Sequence, residues 1–286
     1  MLSTGRTHVS LIVQCTVASL IAFSPLSATR AEWRTEAEAN EPGRLLEAAC
    51  TASIDHARLD FPLVHVAQKL SERSPIKFVA IGSSSTAGAG ANSPTMSYPA
   101  QLETYLADRF PDGAMRVVNR GINGEEVAQM VARFTTSVVA EAPDAVLWQV
   151  GTNLVLREHS INAAGQVLRE GIAALKSTPT DIVLIDPQFA PRVIAKPALP
   201  DLLALLSTIS AAEKVSLFGR FEMMRHWYEK AKVPFATFLS PDGLHMNDWS
   251  YGCLARGLGR AIAEAAKLPS DTTGGGPPLL RDAPAE

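Results

Sequence analysis

Short, continuously apolar runs alternating with segments of helical spacing predict an α/β fold, a three-layer α/β/α sandwich with a mostly parallel central sheet. The runs IKFVAIG from 76, MRVVNRG from 115, AVLWQVG from 145 and DIVLIDP from 181 read as strands covered on both faces. VPFATFL from 233 is a weaker fifth candidate. Helix-like segments at 97–109, 125–140, 160–177, 199–212, 219–231 and 248–267 lie between and after them. Parallel neighbours need long crossovers, which are usually helices, so this order selects a doubly wound sheet.

The elements follow in order. Arg6 and His8 precede VSLIVQCTVASLIAF, and SPLSATRA then offers small residues ending at Ala28 or Ala31. Residues 1–31 therefore read as a secretory signal peptide, with an apolar core short for a membrane span. Residues 32–75 form a polar linker and a helical extension interrupted near Pro62. Residues 76–268 hold the alternating domain, and 269–286, rich in Pro, Gly and polar residues, read as a disordered tail. Cys15 would leave with the signal, so the mature chain keeps Cys50 and Cys253, one before the first strand and one in the last helix. Two readings stay open for them: buried free thiols, or a disulfide closing a long loop and worth up to about 4 to 5 kcal/mol.

The 286 residues are 47% hydrophobic and 19% charged, with a formal net charge of −3 and a pI near 6.1. That balance gives no electrostatic footprint for nucleic acid and points to a small, weakly charged partner. The histidines do not cluster with cysteines or acids at ligand spacing, so neither metal nor cofactor is implied. After removal of the signal no segment is apolar enough to span a membrane. The oligomeric state is not encoded in any visible pattern.

In an open parallel sheet chemistry sits beyond the carboxyl ends of the strands, which is where the first strand delivers VAIGSSSTAGAGA, residues 79–91. The loop lacks the lysine of a phosphate-binding loop, fails the last glycine of the dinucleotide fingerprint, and carries Thr86 where a Gly-x-Ser-x-Gly elbow needs its second glycine. A nucleophilic serine remains, and it needs a base and a group to orient that base. His56, His65, His159 and His226 fall in helix-like or interhelical segments and read as surface or packing residues. His245 lies in LSPDGLHMN, after the last strand candidate, three residues beyond Asp242. In a turn that spacing can fold the carboxylate onto Nδ1 and free Nε2; taken alone, an ordinary Asp-Gly turn before a helix explains it better, and the serine loop on the same edge is what makes the pair a candidate orienter and base.

Acyl transfer also needs donors for an oxyanion. RGINGEE after the second strand carries Gly121 and Gly124, and VGTN after the third carries Asn153. Trp148 and Gln149 precede that block as candidate site-lining residues, with core packing as the simpler reading for the tryptophan.

These blocks, in this order, resemble the SGNH hydrolases, also called the GDSL esterase and lipase superfamily, in a variant with Gly-Ser-Ser-Ser-Thr in its first block. The resemblance implies a flavodoxin-like sandwich in which Ser84 is the nucleophile, His245 its base and Asp242 the orienting acid. It implies an oxyanion hole of the Ser84 and Gly124 N–H groups and the Asn153 amide, counting from Asn119 to place the glycine at 124 rather than 121. Ser83 replaces the usual aspartate of the first block and Leu154 the usual acid of the third. The implied activity is that of an exported serine esterase, periplasmic or secreted, cleaving short-chain or O-acetyl esters of small molecules or carbohydrate. Lysophospholipase or thioesterase action, O-acyl transfer, and glycan binding without catalysis are the alternatives.

Overall fold

The computed structural model describes residues 41–54 and 57–267. The expected signal peptide, most of the linker, His56 and the expected tail lie outside the described residues.

Helices α1 (Glu41–Ile54) and α2 (Val64–Ser71) lead into β1 (Ile76–Gly82). Then follow α3 (Ser84–Ala87), α4 (Tyr98–Arg109), β2 (Met115–Gly121), α5 (Val127–Ala132), α6 (Phe134–Ser137) and β3 (Ala145–Gln149). After these come α7 (Thr152–Leu156), α8 (Ile161–Lys176), β4 (Asp181–Ile185), α9 (Pro191–Ile194) and α10 (Leu199–Glu213). The chain closes with β5 (Ser216–Phe218), α11 (Arg220–Glu229), α12 (Phe235–Phe238) and α13 (Asp248–Ala265).

The sheet order is β2-β1-β3-β4-β5, with every pairing parallel. Helices α4 and α13 pack on one another in one layer, while α5, α8 and α10 form another. Burial explains the continuous apolar runs: Phe78 to Ile81 of β1 and all of β3 are buried, Trp148 completely, its ring edge-on to Phe134. Trp148 is therefore a core residue. The order reverses between β1 and β3, and the carboxyl ends of strands at such a switch point are where open parallel sheets place their ligands.

Two expectations are corrected. VPFATFL is not a strand: Pro234 caps the short helix α12, and Phe235 stacks on Tyr228, ring centroids 4.2 Å apart, instead of entering the sheet. The fifth strand is Ser216–Phe218, three residues long, beginning two residues after the left-handed Lys214 that ends α10. The helix expected over 125–140 is broken at Arg133, whose guanidinium reaches back to the Glu125 carboxylate and the Arg120 carbonyl.

Helix α1 belongs to the same core, contributing Ala49, Cys50 and Ile54. Cys50 forms a disulfide with Cys253 of α13, with Cα atoms 5.7 Å apart. Among the described residues no helix is long and apolar enough to cross a membrane.

Candidate active site

The loop after β1 folds into a single helical turn. The N–H groups of Thr86 and Ala87 donate to the Ser83 carbonyl at 3.0 and 2.9 Å, which makes Ser83 the cap and Ser84 the first residue. A first-turn N–H has no intrahelical acceptor, so that of Ser84 is available to a ligand. Ser84 itself is half-buried.

The turn is clamped from below. Gln149, at the end of β3, accepts from the Ser83 N–H at 2.9 Å and the Ser83 hydroxyl at 3.0 Å. Asn119 Nδ2 donates to the Thr86 carbonyl at 2.8 Å, and the Tyr251 hydroxyl of α13 donates to the Ala89 carbonyl at 2.6 Å. Ser83, where the resemblance expects an aspartate, is a buried hydroxyl bonded to Gln149. Gly121 packs directly on the turn, since a Cβ there would come within 2.1 Å of the Ala87 nitrogen.

The second loop runs from α12 to α13. An isolated bridge pairs Leu239 with Met246, and the Ser240 N–H donates to the His245 carbonyl at 2.8 Å. Asn247 and Ser250 form the capping box that starts α13 immediately afterwards. Inside this loop one Asp242 oxygen, Oδ1, accepts from the Ser240 hydroxyl at 2.7 Å and from the N–H groups of Leu244 and His245, each at 2.9 Å. The other, Oδ2, bonds His245 Nδ1 at short range, and His245 Nε2 lies 2.8 Å from Ser84 Oγ. Burial opposes the charge on Asp242, but these four donors outweigh it and hold the carboxyl far below the ordinary aspartate range. A carboxylate on Nδ1 places that ring proton on the Asp242 side and leaves Nε2 as the acceptor facing the serine.

The candidate oxyanion donors lie in the loops after β2 and β3. The Glu125 N–H closes a turn onto the Ile122 carbonyl at 3.3 Å, and Gly124 occupies its third position with φ of +80°, where a side chain would be strained. Asn153 Nδ2 donates to the Glu125 carbonyl at 2.9 Å, which fixes the amide against the Gly124 turn and leaves one N–H of the pair free. Glu126 accepts from Arg157 at 2.6 Å and lies 3.0 Å from His159 Nδ1, pinning the helix that carries Asn153 to the same turn. His159 is therefore a structural tether. Leu154, where the resemblance expects an acid, lines an apolar pocket with Val127, Val150, Leu168 and Leu202.

The structure thus brings Ser84, His245 and Asp242 into one hydrogen-bonded line, with Gly124 and Asn153 joined on neighbouring loops. Gln149 and Ser240 were not given supporting roles by the sequence, and no motif marks them. Among the described residues no group of three His, Cys, Asp or Glu side chains is placed to hold a metal ion.

Residues 49–268 match the non-GDSL lipase-like family. The chain belongs to that family. A 64-residue stretch is 36% identical to an acetylxylan esterase of Geobacillus stearothermophilus, spanning 22% of this chain and 29% of that enzyme. A solved structure of an acetylxylan esterase from the same organism superposes with a TM-score of 0.56 at 22% identity, over 66% of this chain and 94% of the other. A two-domain esterase active on acetylated mannans superposes with a TM-score of 0.63 at 17% identity, over 80% of this chain and 59% of the other. The matched stretch is under a third of the curated relative's length. At these identities the structural likeness establishes a common fold.

Proposed function

We propose that the protein is a serine esterase that removes short acyl groups, foremost O-acetyl, from carbohydrate. The observation that carries this reading is the 2.8 Å contact between His245 Nε2 and Ser84 Oγ, with Asp242 bonded to the far side of the imidazole. His245 takes the Ser84 proton as Oγ attacks the acyl carbon, and the tetrahedral oxyanion accepts from the N–H groups of Ser84 and Gly124 and from Asn153 Nδ2. The imidazolium then protonates the departing alcohol, leaving an acyl-serine. Water, deprotonated by the same imidazole, attacks that ester and releases the carboxylic acid, restoring Ser84.

The acetyl and carbohydrate parts of the proposal are supported by relatives named for acetylxylan and acetylated mannans. Export to the periplasm or medium is supported by the signal-like N-terminus and by the Cys50–Cys253 disulfide, since disulfides persist in oxidising compartments. Acetylated extracellular polysaccharide is the substrate such a location offers.

The test is release of acetate from acetylated xylan and mannan oligosaccharides, set beside lysophospholipids and p-nitrophenyl esters, for the wild type and Ser84→Ala. Acetate release that Ser84→Ala abolishes supports the proposal. Turnover confined to lysolipids would overturn the carbohydrate assignment, and turnover retained by Ser84→Ala would overturn the nucleophile.

A further inference from the structure

Gln188 lies just past the carboxyl end of β4, is 1% exposed, and belongs to neither the nucleophile turn nor the base loop. Its side-chain oxygen accepts from the Thr152 hydroxyl at 2.8 Å and from Arg220 Nη2 at 3.1 Å. Arg220 is itself fully buried and anchored through Nε to the Asp186 carbonyl at 2.9 Å. Two donors on Oε1 leave only one orientation for the amide, and its Nε2 then points at the Leu244 carbonyl, 3.3 Å away.

That carbonyl belongs to the peptide unit joining Leu244 to His245. The N–H of the same unit donates to Asp242 Oδ1 at 2.9 Å. One peptide plane is therefore held at both ends, by Asp242 on its N–H and by Gln188 on its C=O, and the His245 side chain projects from it. The other end of the Gln188 amide touches Thr152, the residue before Asn153. No other side chain described above links the base loop to the oxyanion helix.

We propose that Gln188 is a positioning residue for the reaction: it sets the peptide plane that aims His245 at Ser84 and locks that loop to the helix presenting Asn153. The proposal rests on the reading of His245 as the base. Arg220 acts one step further back, as the buried cation that keeps the Gln188 amide from turning over. Placement errors of about 1 Å around a reacting centre cost on the order of a hundredfold in rate, so a side chain that never meets substrate can control turnover.

The experiment is Gln188→Glu, a substitution of nearly equal shape. A carboxylate keeps an acceptor for Thr152 and Arg220 but turns an oxygen without a hydrogen toward the Leu244 carbonyl. Turnover of p-nitrophenyl acetate is measured per active site, counted by stoichiometric phosphonate labelling, with circular dichroism and melting as controls on the fold. We expect kcat per labelled site to fall at least about tenfold, with KM within about twofold of wild type. A merely structural role would lower the melting temperature or the fraction of labelled sites and leave kcat per site unchanged. A kcat per site within about threefold of wild type overturns the proposal.

Should Gln188→Glu fail to fold, Thr152→Val carries the test by removing one of the two donors that orient the amide. A loss of about threefold or more in kcat with the fold intact supports the proposal, and no loss overturns it. If Ser84→Ala remains active, the underlying catalytic reading has failed. If Ser84→Ala is inert while Gln188→Glu is fully active, the positioning role alone has failed.

Discussion

Replacing Asp242 with Asn should be more damaging than replacing it with Ala, and the reason lies in how Oδ1 is used. That oxygen accepts three hydrogen bonds, from the Ser240 hydroxyl and the N–H groups of Leu244 and His245. The asparagine of Asp242→Asn keeps all three only if its carbonyl stays at the Oδ1 position, which points its NH2 at His245 Nδ1. Turning the amide over would bring NH2 against two backbone N–H donors and forfeit both of their hydrogen bonds. The amide therefore stays, Nδ1 must present its lone pair, and the ring proton moves to Nε2, facing Ser84 Oγ. An imidazole in that tautomer cannot take the serine proton. The expected loss in kcat is about 10⁴-fold, or about 5.5 kcal/mol in the barrier, with the fold and KM little changed. Asp242→Ala loses the orienting bond but leaves the ring free to adopt either tautomer, so its loss should be smaller. The assay is p-nitrophenyl acetate hydrolysis at neutral pH for both variants. Activity of Asp242→Asn within about tenfold of wild type would refute the proton arrangement.

Asn153→Ala should lower kcat by about 10²- to 10³-fold if its free N–H meets the oxyanion, and a loss below about threefold in steady-state assays would remove it from that role. Reduction of the Cys50–Cys253 bond, which closes a sequence separation of 203 residues, should cost up to about 5 kcal/mol from chain entropy alone. That corresponds to a fall in Tm on the order of 10 °C in thermal melts with and without reductant, and coincident melts would refute it. Asp186 is fully buried, and burial pushes its carboxyl up to about 7 despite the Phe221 N–H bond and the charge of Arg220. A raised folded-state value stabilises the protein below the ordinary aspartate pKa and loses that contribution as pH climbs to about 7. The Tm of Asp186→Asn relative to wild type should therefore rise between pH 5 and 8 in buffered calorimetry, and a pH-independent difference would contradict this.

Strands β1, β3 and β4 were legible because each is buried almost throughout and reads as a continuous apolar run, whereas β2, expected to be covered on both faces, is an edge strand that buries only Val117 and was found from its Val-Val core. Strand β5 was not, because three residues between two helices give no run long enough to stand out. VPFATFL misled because its aromatic residues are apolar for a different reason: they pack against Phe189, Tyr228 and Trp227 outside the sheet. For the site, Ser84 could be picked out because it follows a buried strand of a parallel sheet, and Asp242 and His245 because an Asp-x-x-His turn closes locally, although their loop joins two helices and does not leave a strand as expected. Gln149 was marked only as a candidate lining residue and Gln188 not at all, because the partners that give them their roles lie 66 and 56 residues away and become neighbours only in the folded chain. A glutamine carries no spacing rule of its own.

That Ser84 is the atom acylated through His245 is tested most directly by covalent trapping with an alkyl fluorophosphonate, followed by peptide mass spectrometry. The wild type should take up one label, on Ser84, and His245→Ala should lose that labelling while retaining the native melting profile. A label found on any other residue, or equal labelling of Ser84 in His245→Ala, would contradict the mechanism.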